Sequence, residues 1–203
     1  KETNIVLDKD NNTSYFLTSG GQLYSIDYLT KNLKWIKTLI VGSSGQGAGI
    51  FFSSPMVLSN NKIFFSSSIS TFSINKTNGL INWELPFGTN IRPVVTENYI
   101  FLASKNGFFL SVNAKTGNVI WSKNLFNNKK IKIKKTGNIV SLFLISNKIM
   151  ATTSKGYFLF LDYRNGEVSS YTKAASAGFF SRPSIVDGKI YLIDSKMRLL
   201  IYQ

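Results

Sequence analysis

Cysteine and histidine are both missing from this 203-residue chain. Without cysteine there is no disulfide framework and no thiolate metal site. Without histidine the commonest general base and metal ligand is gone. Acidic residues are scarce: 10 Asp and Glu stand against 24 Lys and Arg, a formal net charge of +14. Asp27 and Asp162 open turns, Asp8 and Asp10 lie in a polar loop, and Asp187 precedes Gly188 in a hairpin turn. Asp194, Glu84, Glu97, Glu167 and Glu2 form no spaced pair of the kind that two-carboxylate catalysis requires. The glycine-rich stretch Val41-Gly-Ser-Ser-Gly-Gln-Gly-Ala-Gly49 lacks the Lys-Ser/Thr ending and following helix of a phosphate loop. No catalytic residue, cofactor or metal is therefore expected. There is no secretory hydrophobic segment and no apolar run of about 18 residues. A signal peptide would have been removed or would lie outside this sequence. Sustained 3.6-residue periodicity with caps is also missing, which predicts almost no helix.

What the chain does have is a repeat. A nine-residue signature starts at Asp27, Asn75, Asn113 and Asp162. It opens with Asp or Asn, places a turn residue four positions on (Lys31, Gly79, Gly117, Gly166), and in the first three copies ends in Trp35, Trp83 and Trp121. Recurrence every 40 to 50 residues or so predicts a propeller or another stacked array. Each repeat divides into short β-rich runs bounded by Asn and Gly, such as Met56–Leu58, Lys62–Ser66, Thr71–Ile74 and Leu80–Trp83. The fold class that follows is all-β, with four-stranded antiparallel blades and about four and a half of them over residues 1–203. A truncated copy, Ser195–Gln203, closes the chain, and both ends are expected to interrupt a blade.

The signature has a physical logic. Asp or Asn can accept bonds from backbone amides two residues on. Glycine takes a positive φ without steric cost. A tryptophan on the outermost strand can cover the next blade while its N–H reaches a backbone acceptor. Trp35, Trp83, Trp121, Gly79 and Gly117 are thus expected to dock blade on blade.

The charge favours acidic partners, although lysine- and asparagine-rich usage also arises from codon bias. Four arginines and no recognised binding signature speak against nucleic acid. One cluster stands out, Asn127-Asn-Lys-Lys-Ile-Lys-Ile-Lys-Lys135. Its alternation reads as an exposed strand with Ile131 and Ile133 inward. Lys129, Lys130, Lys132, Lys134 and Lys135 then form a basic patch, either a guard against aggregation or a surface for anionic lipid or an acidic partner. The 41–49 stretch reads as a long loop between the first two blades, either a spacer or a recognition loop. Phe51 and Phe52 at its end read as blade core.

The repeat resembles the pyrroloquinoline-quinone-type propeller repeat, small-x-Asp/Asn-x-x-Thr-Gly-x-x-x-Trp. It is carried here by Ser25 to Trp35, Ser73 to Trp83 and Ser111 to Trp121. The fourth copy departs, with Phe160 for the small residue and Ser170 for Trp. Two classes share the repeat. Quinoprotein dehydrogenases use a vicinal Cys pair and calcium ligands, and neither pattern exists here. The other is the BamB family of the outer-membrane β-barrel assembly machinery. Residues Ser154–Val168, Ser176–Phe179 and Arg182–Tyr191 look like the end of that family. The resemblance implies the C-terminal half of an eight-bladed ring and a non-enzymatic lipoprotein scaffold at the periplasmic face of the outer membrane. It implies binding to BamA periplasmic domains, help to barrel insertion, and contact with unfolded clients. By position, partner contact falls on Gly42–Ser54, with Gln46, Ile50 and Phe51 as candidates. The alternatives are a quinone-dependent dehydrogenase-type propeller or a generic propeller for polyanion or lipid. A half ring is also expected to dimerise.

Overall fold

The computed structural model describes residues 4–39, 51–127 and 131–203. Five antiparallel sheets follow one another along the chain. The first holds β1 (Asn4–Asp8), β2 (Thr13–Leu17), β3 (Gln22–Asp27) and β4 (Leu33–Thr38). The second holds β5 (Val57–Ser59), β6 (Lys62–Ser66), β7 (Thr71–Asn75) and β8 (Ile81–Leu85). The third holds β9 (Val94–Val95), β10 (Tyr99–Ala103), β11 (Phe108–Asn113) and β12 (Val119–Asn124). The fourth holds β13 (Ile139–Ile145), β14 (Lys148–Thr153), β15 (Tyr157–Asp162) and β16 (Val168–Lys173). The last has three strands, β17 (Ser184–Val186), β18 (Lys189–Ile193) and β19 (Leu199–Tyr202). Every sheet pairs its strands in chain order, the meander of a β-propeller blade. The first sheet corrects the expectation of an interrupted first blade. Asn4–Asp8 pairs residue for residue with Thr13–Leu17, so all four strands are present.

Burial explains the composition of each strand. The middle strands β6, β7, β10, β11 and β14 are buried on both faces, which is why they read as continuous apolar runs. The fourth strands β4, β12 and β16 are largely exposed. The chain divides into two compact units. One is Lys1–Asn98 with Ala114–Gly117, the other Tyr99–Asn113 with Asn118–Gln203. In the first unit, Tyr15, Leu17 and Leu23 interlock with Ile63, Phe65, Phe72 and Ile74. In the second, Phe143, Met150, Phe158, Phe179 and Leu192 pack together, with Phe158 stacked on Phe179 at 5.0 Å. Each such side chain contributes about 1.5–3 kcal/mol by leaving water.

The turn signature is satisfied locally. Asp27 Oδ1 accepts from the amides of Leu29 and Thr30, Asn75 Oδ1 from Thr77, and Asp162 Oδ1 from Arg164. Four residues on, Lys31, Gly79, Gly117 and Gly166 all have φ between 61° and 79°. Each of the four sheets also shifts register just after the signature's small-residue position, at Ser25, Ser73, Ser111 and, in the divergent copy, Phe160. A bulge there adds local twist and re-aims the outer strand.

The lysine-rich stretch corrects the sequence reading. Ile133–Thr136 is a single α-helical turn, not a strand. The amides of Lys135 and Thr136 both donate to the Lys132 carbonyl, and Gly137 follows in the left-handed region at φ 79°. Local bonds have replaced a ladder. Ile131 is nevertheless fully buried, as the alternation implied. Elsewhere among the described residues the only helical piece is a 3-10 turn, Leu125–Asn127. No helix among them is long and apolar enough to cross a membrane.

Candidate interaction surface

The tryptophans and glycines of the signature meet across sheets within each unit. Trp35 Nε1 donates to the Lys76 carbonyl at 3.1 Å, and Tyr15 Oη donates to the same oxygen. Trp83 Nε1 donates to the Ala114 carbonyl at 3.2 Å, and Trp121 Nε1 to that of Tyr163 at 3.0 Å. Each ring lies flat against the next signature's glycine. A Cβ on Gly79 would stand 2.7 Å from the Trp35 ring, on Gly117 2.8 Å from Trp83, and on Gly166 2.6 Å from Trp121. Real Cβ atoms do not come so close, so the glycines serve the docking as well as the turn.

The fourth copy keeps the same size rule in reverse. Ser25 pairs across strands with Trp35, Ser73 with Trp83, and Ser111 with Trp121. At the equivalent pair the large ring has moved to the inner strand, Phe160 opposite Ser170. Phe160 packs against the core of the fourth and fifth sheets. Ser170 is exposed while Phe160 packs on the core, so Phe160→Ser alone is expected to destabilise by about 3 kcal/mol by emptying its site. Ser170→Trp with Phe160→Ser should recover about 1–2 kcal/mol of that loss, read as coupling in a double-mutant cycle of urea melts.

The hairpin between the second and third strand of a blade ties down the chain leaving its fourth strand. Gly21, Ser67, Gly107 and Gly156 offer carbonyls to the amides of Leu39, Thr89, Leu125 and Ala174. In the first blade this hairpin bonds both Leu39 and Phe51, because Ser19 also accepts from the Phe51 amide at 2.8 Å. A Cβ on Gly21 would meet the Leu39 carbonyl and the Phe51 ring, each at 3.1 Å. Sequence reasoning missed this glycine, and its only signal was the Ser-Gly-Gly turn.

Gln46 and Ile50 lie outside the described residues, as do Lys129 and Lys130. Phe51 is half-buried and packs on the core of the first two sheets. Phe52 is 61% exposed, contrary to its reading as blade core. An antiparallel bridge then joins Ser53 to Ser67, and Ser54 accepts and donates within the same pairing. Beyond that bridge the turn Ser67–Ser70 presents Ile69, 49% exposed. A Cβ on Gly88 would fall 2.0 Å from the Ser68 carbonyl, so the turn is held from behind. Phe52 and Ile69 are thus two exposed apolar side chains on either side of the Ser53–Ser67 bridge, at one end of the second blade. Sequence alone did not single out Ile69.

The two buried carboxylates among the described residues are engaged in structure. Asp8 accepts from Lys76 Nζ at 2.7 Å and from Asn11. Burial raises its pKa, but the Lys76 and Asn11 hydrogen bonds and the Lys76 charge outweigh that and hold it below the usual value. Asp194 is fully buried beneath Arg198, which donates Nε and Nη2 to Oδ2 at 2.9 and 2.7 Å. Those bonds hold its carboxyl low against the cost of burial. Among the described residues no group of three or more His, Cys, Asp or Glu converges as a metal site would.

Comparison with known proteins fits this architecture. The family model described as outer membrane protein assembly factor BamB matches residues 3–203. Outer membrane protein assembly factor BamB of Shewanella oneidensis is 23% identical over 138 residues, 68% of this chain and 33% of its own. The Legionella pneumophila protein of that name is 21% identical over 178 residues, 86% of this chain and 44% of its own. Tetrathionate hydrolase of Acidithiobacillus ferrooxidans is 26% identical over 209 residues, 90% of this chain and 40% of its own. The chain thus spans between a third and somewhat under half of these curated relatives. The crystal structure of BamB from Moraxella catarrhalis superposes with a TM-score of 0.64 at 14% identity, covering 99% of this chain and 64% of that one. Quinohemoprotein alcohol dehydrogenase from Comamonas testosteroni gives 0.69 at 12% identity, covering 98% of this chain and 40% of that one. At such identities the solved structures speak for the fold alone. The match of repeats, blades and family model over nearly every residue means that this chain belongs to the BamB family of outer membrane protein assembly factors.

Proposed function

We propose that the chain is a non-enzymatic scaffold of the outer-membrane β-barrel assembly machinery, acting at the periplasmic face of that membrane. In this reading it binds the periplasmic domains of a BamA-like barrel insertase and assists barrel-protein insertion. The observation that carries it is the BamB-family match over residues 3–203. The end of the second blade supports it locally. There Phe52, next to the Ser53–Ser67 bridge, and Ile69, in the 67–70 turn, are open to solvent. Isolated apolar side chains on a rigid β scaffold suit the buried centre of a protein interface. Phe51 is spent on the core, and Phe52 makes the contact.

The hydrolase and dehydrogenase similarities raise catalysis as an alternative. Side-chain chemistry favours the scaffold. The chain offers no histidine or cysteine, and Asp8, Asp27, Asp162 and Asp194 are committed to ion pairs and turns. Binding of the intact protein to the purified periplasmic domains of its cognate insertase tests the proposal. Phe52→Asp is expected to weaken that binding at least about tenfold, the loss of one central apolar contact. It should leave the melting temperature in place, because the side chain is already exposed. Wild-type affinity in Phe52→Asp and Ile69→Asp alike would remove this surface from the interface.

A further inference from the structure

The second unit gathers a lysine–tyrosine surface from three separate stretches of sequence. Lys155 Nζ donates to the Lys134 carbonyl at 2.6 Å, and Lys173 Nζ donates to the Lys155 carbonyl. Lys173 Nζ lies 4.8 Å from the Tyr157 ring centre and Lys135 Nζ 5.4 Å from that of Tyr171. The two rings are 6.3 Å apart, since Tyr157 pairs with Lys173 and Leu159 with Tyr171 across β15 and β16. Lys132, Lys134, Lys135, Lys155 and Lys173 are all exposed, and both tyrosines are half-buried.

Among the described residues no ion pair joins a carboxylate to these lysines, and Asp194, next to the Gly178 backbone, is taken by Arg198. From Asn98 to Val186 the sequence holds 13 basic residues and two carboxylates, Asp162 and Glu167. Both stand at the far end of the β15–β16 hairpin, about 16 Å away along the strands. Asp162 caps its own turn and Glu167 pairs with Lys123 at 2.6 Å. The lysines of the patch are instead propped on carbonyls and ring faces, which hold them in place without cancelling them.

We propose that this face docks on an anionic phospholipid surface. A nucleic-acid groove would call for arginines that grip phosphate in pairs, and the patch has none. Flexible lysine point charges around amphipathic rings suit a plane of anionic head groups, where clusters of basic residues accumulate attraction and tyrosine sits at the water boundary. The inference is independent of which protein the other blades bind.

The test is sedimentation of the intact protein, in a form carrying no attached lipid, with vesicles of phosphatidylglycerol and phosphatidylcholine at physiological salt. Changing Lys135, Lys155 and Lys173 to Gln is expected to lower the partition coefficient about a hundredfold, at roughly fivefold per lysine. Changing the exposed Lys9, Lys31 and Lys148 to Gln alters the net charge equally and should cost little. Circular dichroism melts confirm that both variants fold. Equal losses in the two variants would overturn the proposal in favour of unspecific net charge. Absence of wild-type binding would overturn it, and so would patch-dependent binding to single-stranded DNA that exceeds binding to vesicles.

Discussion

Trp83→Ala is expected to lower the stability of the chain by about 4 kcal/mol, the cost of emptying a buried large aromatic site. For a chain of this size that is a fall of about 10 °C in melting temperature. Three losses coincide. The ring is only 8% exposed. It packs beside Phe64 at 6.0 Å and flat on Gly117. Its N–H is the partner of the Ala114 carbonyl. Trp83→Phe should keep most of the packing and lose about 1 kcal/mol for the hydrogen bond. The reciprocal change is Gly117→Ala. Its φ of 79° disfavours any side chain, and the new Cβ would enter the ring at 2.8 Å. About 3 kcal/mol is expected from the two effects together. Because the ring and the glycine share one contact, the double variant should cost clearly less than the sum. Additive losses would mean that the tryptophan and glycine act separately, as ordinary core and ordinary turn.

Lys76→Met is the second change with a large expected effect. Lys76 and Asp8 are joined at 2.7 Å, with their side chains 18% and 6% exposed. Removing one member leaves a buried carboxylate with Asn11 alone, at a cost of about 3–5 kcal/mol. Replacing both, as Asp8→Leu with Lys76→Met, should restore most of the stability, since an apolar pair of similar volume avoids desolvation. The pH dependence has a fixed sign. The folded carboxyl of Asp8 lies below its ordinary value. Its contribution is therefore fully present above the unfolded pKa of about 3.9 and is lost as pH falls through the folded value. Chemical denaturation between pH 7 and pH 2 should show wild type losing stability more steeply than Asp8→Asn below about pH 4. Parallel curves would remove the pair from the account of acid sensitivity.

Much of this fold is readable because the repeat imposes one register on every blade. The signature fixes where Asp or Asn bonds the turn and where glycine turns left-handed. The docking contacts of Trp35, Trp83 and Trp121 lie where those residue types make physical sense. Short-range alternation misled at one place. Ile-Lys-Ile-Lys at 131–134 has the period of a strand, yet no neighbouring strand offers it a ladder, and Lys132 closes a helical turn instead. Other features are long-range in sequence. The Asp8–Lys76 pair spans 68 positions, and the lysine–tyrosine surface draws on residues near 134, 155, 157 and 172. Gly88 and Gly178 matter because a backbone passes close by, within 2.0 and 1.7 Å of where a Cβ would stand. No local pattern carries that information. The candidate contact surface was legible as a region and not as residues, because exposure of Phe52 and burial of Phe51 depend on which face of the loop meets the Gly21 hairpin.

Hydrogen exchange of the intact protein, with and without the periplasmic domains of its cognate insertase, tests the scaffold reading most directly. The account predicts slowed exchange at residues 51–54 and 67–70, with the lysine–tyrosine surface at 132–135 and 155–157 unchanged. Saturating insertase that leaves 51–54 and 67–70 at their free rates would contradict it.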